Sequence, residues 1–303
     1  MQILQQTLKK NFSVEGKGLH TGKVAKMTVC PAPEDYGIRF IRTDISETAE
    51  IQAIADNVTN TARSTTLTQG EASVITIEHI LSALTGLGID NARIEIDNFE
   101  VPILDGSAKP YVEAICRDGI QEQSAPRKYI EIKEEIVMEG NNGSLVKIAP
   151  ADEPSYEIEI DFNSKVLGVQ TAKWDESVTY EKEIGVCRTF VFFHELEFLF
   201  NNNLVKGGDV DNAIVIVEHP VSQEQLQKMA KLFDKPMLSV EGKGYLNNLQ
   251  LRFENECARH KLLDLMGDLR LCGGFLKAKV TAVKSGHGVN TRAALAVREM
   301  MRK

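Results

Sequence analysis

The stretch Cys257-Ala-Arg-His-Lys-Leu-Leu-Asp-Leu-Met-Gly-Asp268 sets an imidazole, His260, four residues before a carboxylate, Asp264. Leu262, Leu263, Leu265, Met266 and Leu269 give the stretch a helical apolar pattern. Residues four apart on a helix share a face, one turn from each other. His260 and Asp264 can therefore grip one divalent metal ion from a single rigid element. Two ligands are too few, because catalytic sites of this kind use three protein ligands and keep one open position.

A repeat supplies the third. His79-Ile-Leu-Ser-Ala-Leu-Thr-Gly86 and His260-Lys-Leu-Leu-Asp-Leu-Met-Gly267 each carry His first, Leu third and sixth, and Gly eighth. Each is followed by a predicted strand, at 91–97 or 275–284. This predicts two domains of one βα design packed about a pseudo-two-fold, with His79 brought to His260. Only the second copy carries the carboxylate, since Ala83 stands at the position of Asp264.

Further groups fit a hydrolytic role around such an ion. Glu78 precedes His79 and points about 100° away on a helix, so it suits a proton acceptor beside the open position better than a ligand. His287 lies in Lys284-Ser-Gly-His-Gly, expected to be a glycine-flanked turn that offers one side chain to a cleft. Asp268 is too far along the helix to share the ion, but it can hydrogen-bond His287 and hold it protonated as an acid. A divalent ion, a carboxylate base and an imidazolium acid make a hydrolase for an amide or ester. His194 and His219 have no supporting neighbours, and His20 reads equally as a loop hydrogen-bonder or a site residue. Lys261 and Lys284 flank the expected site, either as solvated surface lysines or as a phosphate clamp. Residues 189–200 hold five of the twelve phenylalanines, and they read as a core helix or as an apolar wall for a long hydrocarbon.

The elements that must position these groups follow from the rest of the chain. Its 303 residues allow two domains, and 43% apolar with 26% charged residues is ordinary globular composition. A net charge of −8 argues against nucleic acid as a partner. Five scattered cysteines without a Cys-x-x-Cys pair suggest reduced thiols, and hence a cytoplasmic protein. The N-terminal residues lack a signal-peptide run, and no integral membrane segment is expected. Strands are expected within 2–30 and at 37–42, 91–97, 129–138, 145–149, 156–162, 212–218 and 275–284, with a Thr-rich β-excursion at 57–70. Helices are expected at 77–87, 107–118, 222–233 and 257–268, with a last one from about 290. The polar segment 119–128, with Pro126, reads as a linker.

With these residues assembled, the chain resembles the zinc-dependent UDP-3-O-acyl-N-acetylglucosamine deacetylase family of lipid A biosynthesis in Gram-negative bacteria. The resemblance runs through Gly18-Leu-His-Thr-Gly22, Ile77-Glu-His-Ile80, Leu87-Gly-Ile-Asp-Asn91, Val101-Pro-Ile-Leu-Asp-Gly-Ser107, Arg188-Thr-Phe190, Arg259-His-Lys-Leu-Leu-Asp264, Gly267-Asp268 and Lys284-Ser-Gly-His287. It implies an α+β fold of two related domains, 1–124 and 127–303, each a β-sheet with helices, packed as a β-α-α-β sandwich. Inserts are implied at about 57–75 and 191–217, the second forming the passage for the acyl chain. It implies zinc, or Fe2+ in its place, on His79, His260 and Asp264. Glu78 would be the base, His287 the acid oriented by Asp268, and Thr189 a donor to the oxyanion. Phe190, Lys261, Lys284 and Lys147 would contact the UDP-linked acylated glucosamine. The reaction implied is release of acetate from its 2-acetamido group. Val191 departs from the glycine that often follows the Thr-Phe pair. The chain is implied to be either a free-standing deacetylase or part of a fusion with a hydroxyacyl-acyl-carrier-protein dehydratase. The rival readings are a zinc hydrolase for another acylated sugar and a non-catalytic, metal-stabilised binding protein.

Overall fold

The computed structural model describes residues 3–201, 205–235, 237–242 and 244–303. Its first half runs through β1 (Leu4–Leu8), β2 (Phe12–Lys17), β3 (Val24–Pro31), β4 (Ile38–Arg42), β5 (Glu50–Gln52), β6 (Val58–Asn60), β7 (Thr66–Gln69) and β8 (Ala72–Ile75), then helix α1 (Glu78–Gly86), β9 (Ala92–Ile96), α2 (Lys109–Asp118) and β10 (Ile120–Pro126). The second half runs through β11 (Tyr129–Glu131), β12 (Ile136–Glu139), β13 (Leu145–Pro150), β14 (Ser155–Asp161), β15 (Val169–Asp175), α3 (Tyr180–Glu183), β16 (Phe190–Phe192), α4 (Phe193–Asn201), β17 (Ile214–Ile216), α5 (Gln223–Leu232), α6 (Glu256–Leu269), β18 (Phe275–Val283) and α7 (His287–Met301). Sheets and helices are mixed in one α+β architecture.

The duplication seen in two short motifs extends to the sheets. The first is ordered β2-β3-β9-β4-β5 and the second β12-β13-β18-β14-β15, with β11 also pairing β18. In each, the central strand is the next one after the His-bearing helix. Thus β9 pairs antiparallel with β3 and parallel with β4, and β18 pairs antiparallel with β13 and parallel with β14. Inward faces alternate as a half-buried strand requires: Ala25, Met27 and Val29 on β3, and Leu276, Ala278, Val280 and Ala282 on β18.

The helices lie where both sheets can cover them. Residues Glu78 to Thr85 of α1 are all buried. A helix buried on every side needs partners all round it. One hydrophobic core joins Leu81 and Leu84 of α1 and Leu262, Leu263 and Met266 of α6 to inward residues of both sheets. A second core, separate from it, runs from Phe193 to Leu246 and carries α4, β17 and α5. It therefore reaches beyond the 191–217 span expected for an insert. In the Asn201-Asn-Asn turn expected from sequence, residues 202 and 203 lie outside the described residues.

Two expectations about elements are corrected. Residues 119–128 are not a linker: β10 pairs antiparallel with β1, Leu8 opposite Ile120 and Leu4 opposite Pro126. Most of its side chains face solvent, so no apolar alternation betrays it, and Pro126 is tolerated at the end of a two-stranded ribbon. The last helix begins at His287, not at 290. Gly286 is its N-cap, and Gly286 O accepts from the backbone N–H groups of Val289 and Asn290. His287 thus sits on the first turn of a helix and not in a free turn. Strand β15 and the single turn α3 were not foreseen. All five cysteines are free thiols, and no helix among the described residues is long and apolar enough to cross a membrane.

Candidate active site

The site forms where the first turn of α1 meets the middle of α6. That approach depends on Gly267, where a Cβ would stand 2.1 Å from the carbonyl oxygen of Glu78. With the backbones so close, the rings of His79 and His260 meet edge to face, centroids 5.0 Å apart. Asp264 Oδ1 lies 3.6 Å from His79 Nε2 and 3.5 Å from His260 Nε2. One ligand atom from each of the three residues falls within 4.8 Å of the others, and all three residues are buried.

The surroundings prepare these groups to hold a cation. His260 Nδ1 lies 3.0 Å from the carbonyl of Cys187. That contact suits the tautomer that donates from Nδ1 and keeps the Nε2 lone pair for a metal. Burial holds His79 unprotonated, its pKa lowered to about 3, with His260 adding to the effect. Burial lowers that of His260 as well. Burial opposes ionisation of Asp264, but Lys261 above all, with His287 adding, outweighs it and keeps the carboxylate ionised. Asp264 Oδ2 accepts from Lys261 Nζ at 2.7 Å, whereas Oδ1 is buried and accepts no hydrogen bond. An orphan carboxylate oxygen between two neutral imidazoles fits a divalent ion, because ligands must be deprotonated to bind one.

The proton-handling candidates stand beside this set. His287 Nδ1 lies 2.8 Å from Asp268 Oδ2, and His287 Nε2 lies 3.9 Å from Glu78 Oε1. Burial alone pushes the His287 pKa down, but Asp268 and Glu78 outweigh it and raise it to about 9. Burial raises Glu78 to about 7, with Asp264 and Asp268 adding and His287 opposing. A base that titrates near neutrality next to an acid that stays protonated is the pairing that proton transfer at pH 7 needs.

A cavity of about 320 Å3 opens from these residues. Glu78, His79, His260, Lys261, Asp264 and His287 line its polar end, and Thr189 and Phe190 line it from β16 and the residue before it. Thr189 N donates to Gly106 O at 2.8 Å. The pair Arg188–Glu256, bonded at 2.9 Å and nearly inaccessible to solvent, ties that segment to the start of α6. Leu196 and Leu199 of α4, Val215 of β17 and Phe233 after α5 give the cavity an apolar wall. The Phe-rich segment is thus a short strand followed by a helix. Lys147 and Lys284 are not brought to the cavity. Lys147, on β13, pairs with Glu135 at 2.6 Å, and Lys284, just after β18, pairs with Asp161 at 2.8 Å; both lysines are partly exposed. His194 and His219 lie 5.9 Å apart, centroid to centroid, outside the cavity.

Several site residues were not foreseen. Thr65 and Asn290 both bond Asp268. Glu100, buried, accepts from the backbone N–H groups of His20 and Thr21 at 2.8 Å and holds their loop against the cavity. Phe162 packs edge to face on Phe190, centroids 5.4 Å apart. Asn290, three residues after His287, was discoverable from helical spacing once α7 was begun correctly. The other three carry no local signal.

Fold and site together define a class: a duplicated α+β protein with two histidines and one aspartate, a group that could hold a metal ion, where its halves meet. Residues 5–232 and 234–299 match the family model described as UDP-3-O-acyl N-acetylglycosamine deacetylase, LpxC, and the chain belongs to that family. It is 44% identical over 300 residues to a protein of Porphyromonas gingivalis named bifunctional enzyme LpxC/FabZ, covering 99% of this chain and 65% of the relative. A protein of the same name from Bacteroides thetaiotaomicron is 42% identical over 301 residues, with the same coverage. A UDP-3-O-acyl-N-acetylglucosamine deacetylase of Teredinibacter turnerae is 40% identical over 306 residues, covering 99% of this chain and 91% of the relative. The chain therefore spans less than two thirds of the bifunctional relatives' length.

Proposed function

We propose that the chain is a zinc-dependent deacetylase. It hydrolyses the 2-acetamido group of UDP-3-O-((3R)-3-hydroxyacyl)-N-acetylglucosamine and releases acetate, the committed step of lipid A biosynthesis, in the cytoplasm. The observation that carries this reading is the convergence of His79, His260 and Asp264, with Glu78 and His287 facing each other beside them. Family membership supplies the substrate.

His79, His260 and Asp264 would hold a divalent ion, which when bound would supply Lewis acidity to water and to the amide carbonyl. Glu78 Oε1 accepts the proton of the attacking water. The Thr189 hydroxyl donates to the developing oxyanion. His287 passes its Nε2 proton to the departing amine, while its Nδ1–H goes on donating to Asp268 Oδ2, which orients the ring. Lys261 and Phe190 line the sugar-nucleotide end, and the apolar wall takes the acyl chain. Lys147 and Lys284 join them only if substrate draws them from their carboxylate partners. We divide the chain into 1–124, with its insert at about 57–75, and 127–303, with its insert at about 191–217. A hydroxyacyl-acyl-carrier-protein dehydratase, fused or separate, is the proposed partner.

The test is acetate release from the UDP-sugar before and after treatment with a chelator, and after adding back Zn2+ or Fe2+. Release that is lost with the metal and regained with either ion is expected. Release indifferent to complete metal removal, or none under any condition, sinks the reading.

A further inference from the structure

The three-stranded excursion β6–β8 carries a residue that lies outside both the lining of the active-site cavity and the His79, His260 and Asp264 group, yet contacts both carboxylates that flank His287. Thr65, just before β7, is fully buried. Each of its three polar groups is engaged with a different part of the site. Its N–H donates to Glu78 Oε2 at 3.2 Å, and its hydroxyl donates to Asp268 Oδ1 at 2.6 Å. Its carbonyl accepts from Thr76 N at 3.1 Å.

Thr76 is held at a φ of +62°. A β-branched residue is a genuine outlier in that region, and such strain persists only where the surroundings impose it. Here the Thr65 carbonyl holds its backbone, and Glu100 Oε1 accepts from its hydroxyl at 3.2 Å. The strained residue turns the chain two residues before Glu78, so that the Glu78 carboxylate folds back onto Thr65.

The division of oxygen atoms is the consequence that matters. Glu78 Oε2 is taken by Thr65, which leaves Oε1 facing His287. Asp268 Oδ1 is taken by Thr65, which leaves Oδ2 for His287 Nδ1 and Asn290 Nδ2, at 2.8 and 2.9 Å. We propose that Thr65 is a positioning residue that clamps the Glu78 and Asp268 carboxylates in one relative orientation, leaving one oxygen of each for proton handling. This rests on the reading of Glu78 as base and His287 as acid.

Thr65→Val keeps the backbone N–H and the shape but removes the hydroxyl. Loss of such an outer partner is expected to lower kcat about 10- to 100-fold, with KM within about threefold and zinc content unchanged, because Thr65 is fully buried, lies behind the cavity wall and is outside the His79, His260 and Asp264 group. Thr65→Ser keeps the hydroxyl and restores kcat to within about threefold. In the metal-free protein, the proton NMR signal of His287 Nδ1–H should shift or broaden in Thr65→Val but not in Thr65→Ser. If Thr65→Val does not fold, the same comparison is read between Thr65→Ser and Thr65→Ala. Wild-type kcat with an unmoved His287 signal overturns the proposal, as does a loss in Thr65→Ser equal to that in Thr65→Val. Glu78→Gln separates the two claims. If it turns over normally, the base assignment itself fails. If it is inactive while Thr65→Val is normal, only the role of Thr65 fails.

Discussion

Gly267→Ala isolates the contact on which the site is built. Gly267 lies inside α6, where replacing glycine by alanine should by propensity alone stabilise the helix by about 1 kcal/mol. The new Cβ, however, would stand 2.1 Å from Glu78 O, 2.9 Å from its carbonyl carbon and 3.1 Å from its Cα. Contacts below 3.0 Å are essentially never seen for a real Cβ, so the two helices must part by about 0.9 Å at that point. The obstacle is backbone of a fully buried helix, so no side chain can swing aside. Overpacking of this kind costs about 1–3 kcal/mol beyond any propensity gain. At about 2–4 °C per kcal/mol, the metal-free protein should melt several degrees lower. The shift also carries His79, on the same turn as Glu78, away from His260 and Asp264. Metal geometry tolerates only about 0.2 Å, and a misplacement of about 1 Å can cost about 100-fold in rate. Thermal unfolding without metal, zinc affinity by competition with a chromophoric chelator, and acetate release together read all three consequences. Gly242→Ala, where a Cβ meets nothing within 4 Å, serves as the unperturbed control. A Gly267→Ala protein that melts higher than wild type and binds zinc equally well would falsify the argument, because propensity would then have outweighed the contact.

Three further outcomes are expected. With His287 as the proposed acid, the alkaline limb of the pH–rate profile should lie near its raised pKa of about 9; Asp268→Asn removes a charge that raises it, and the limb should move to lower pH, an unmoved limb counting against the acid assignment. Glu256→Gln leaves the Arg188 guanidinium buried without its carboxylate, which should cost about 3–5 kcal/mol in urea unfolding; a cost below about 1 kcal/mol would show the pair to be incidental. Phe233→Ala opens the apolar wall of the cavity and should raise kcat/KM for a substrate two methylenes longer by about tenfold relative to the natural chain, at about 0.8 kcal/mol per methylene; an unchanged chain-length profile removes Phe233 from the passage.

What could be read from sequence was whatever repeats along the chain or within one helical turn. His260 and Asp264 were visible because a four-residue spacing is a statement about one rigid element. His79 was visible because its helix is a copy of the other, and the matching strand orders around β9 and β18 show that the copy extends to whole sheets. Thr65 was not visible. Its contact with Asp268 spans 203 residues, and nothing in a run of threonines singles out one hydroxyl. Strand β10 escaped for a different reason, since a ribbon exposed to solvent has no apolar face to betray it. His287 was placed in a turn because its two glycines were both read as loop, whereas Gly286 caps a helix and Gly288 lies within it.

The two copies also show how a duplicated frame becomes one site. The eighth-position glycines are equivalent in sequence but not in use. A Cβ at Gly86 would strike the Tyr180 ring at 2.2 Å, whereas one at Gly267 would strike the Glu78 backbone. The first glycine admits an aromatic ring whose hydroxyl bonds Ser82, and the second admits the first turn of α1, which carries Glu78 and His79. The fifth positions differ more sharply. Asp264 is buried but has the Lys261 ammonium to keep it ionised. Ala83, at the matching place in α1, is fully buried in the apolar core. The residue after His79 is Ile80 where the second copy has Lys261, so an aspartate at 83 would lack the paired cation. An unpaired buried carboxylate is strongly unfavourable. The single carboxylate of the ligand set therefore belongs to the copy that also carries the lysine, and the asymmetry of the site follows from that difference of one neighbouring residue.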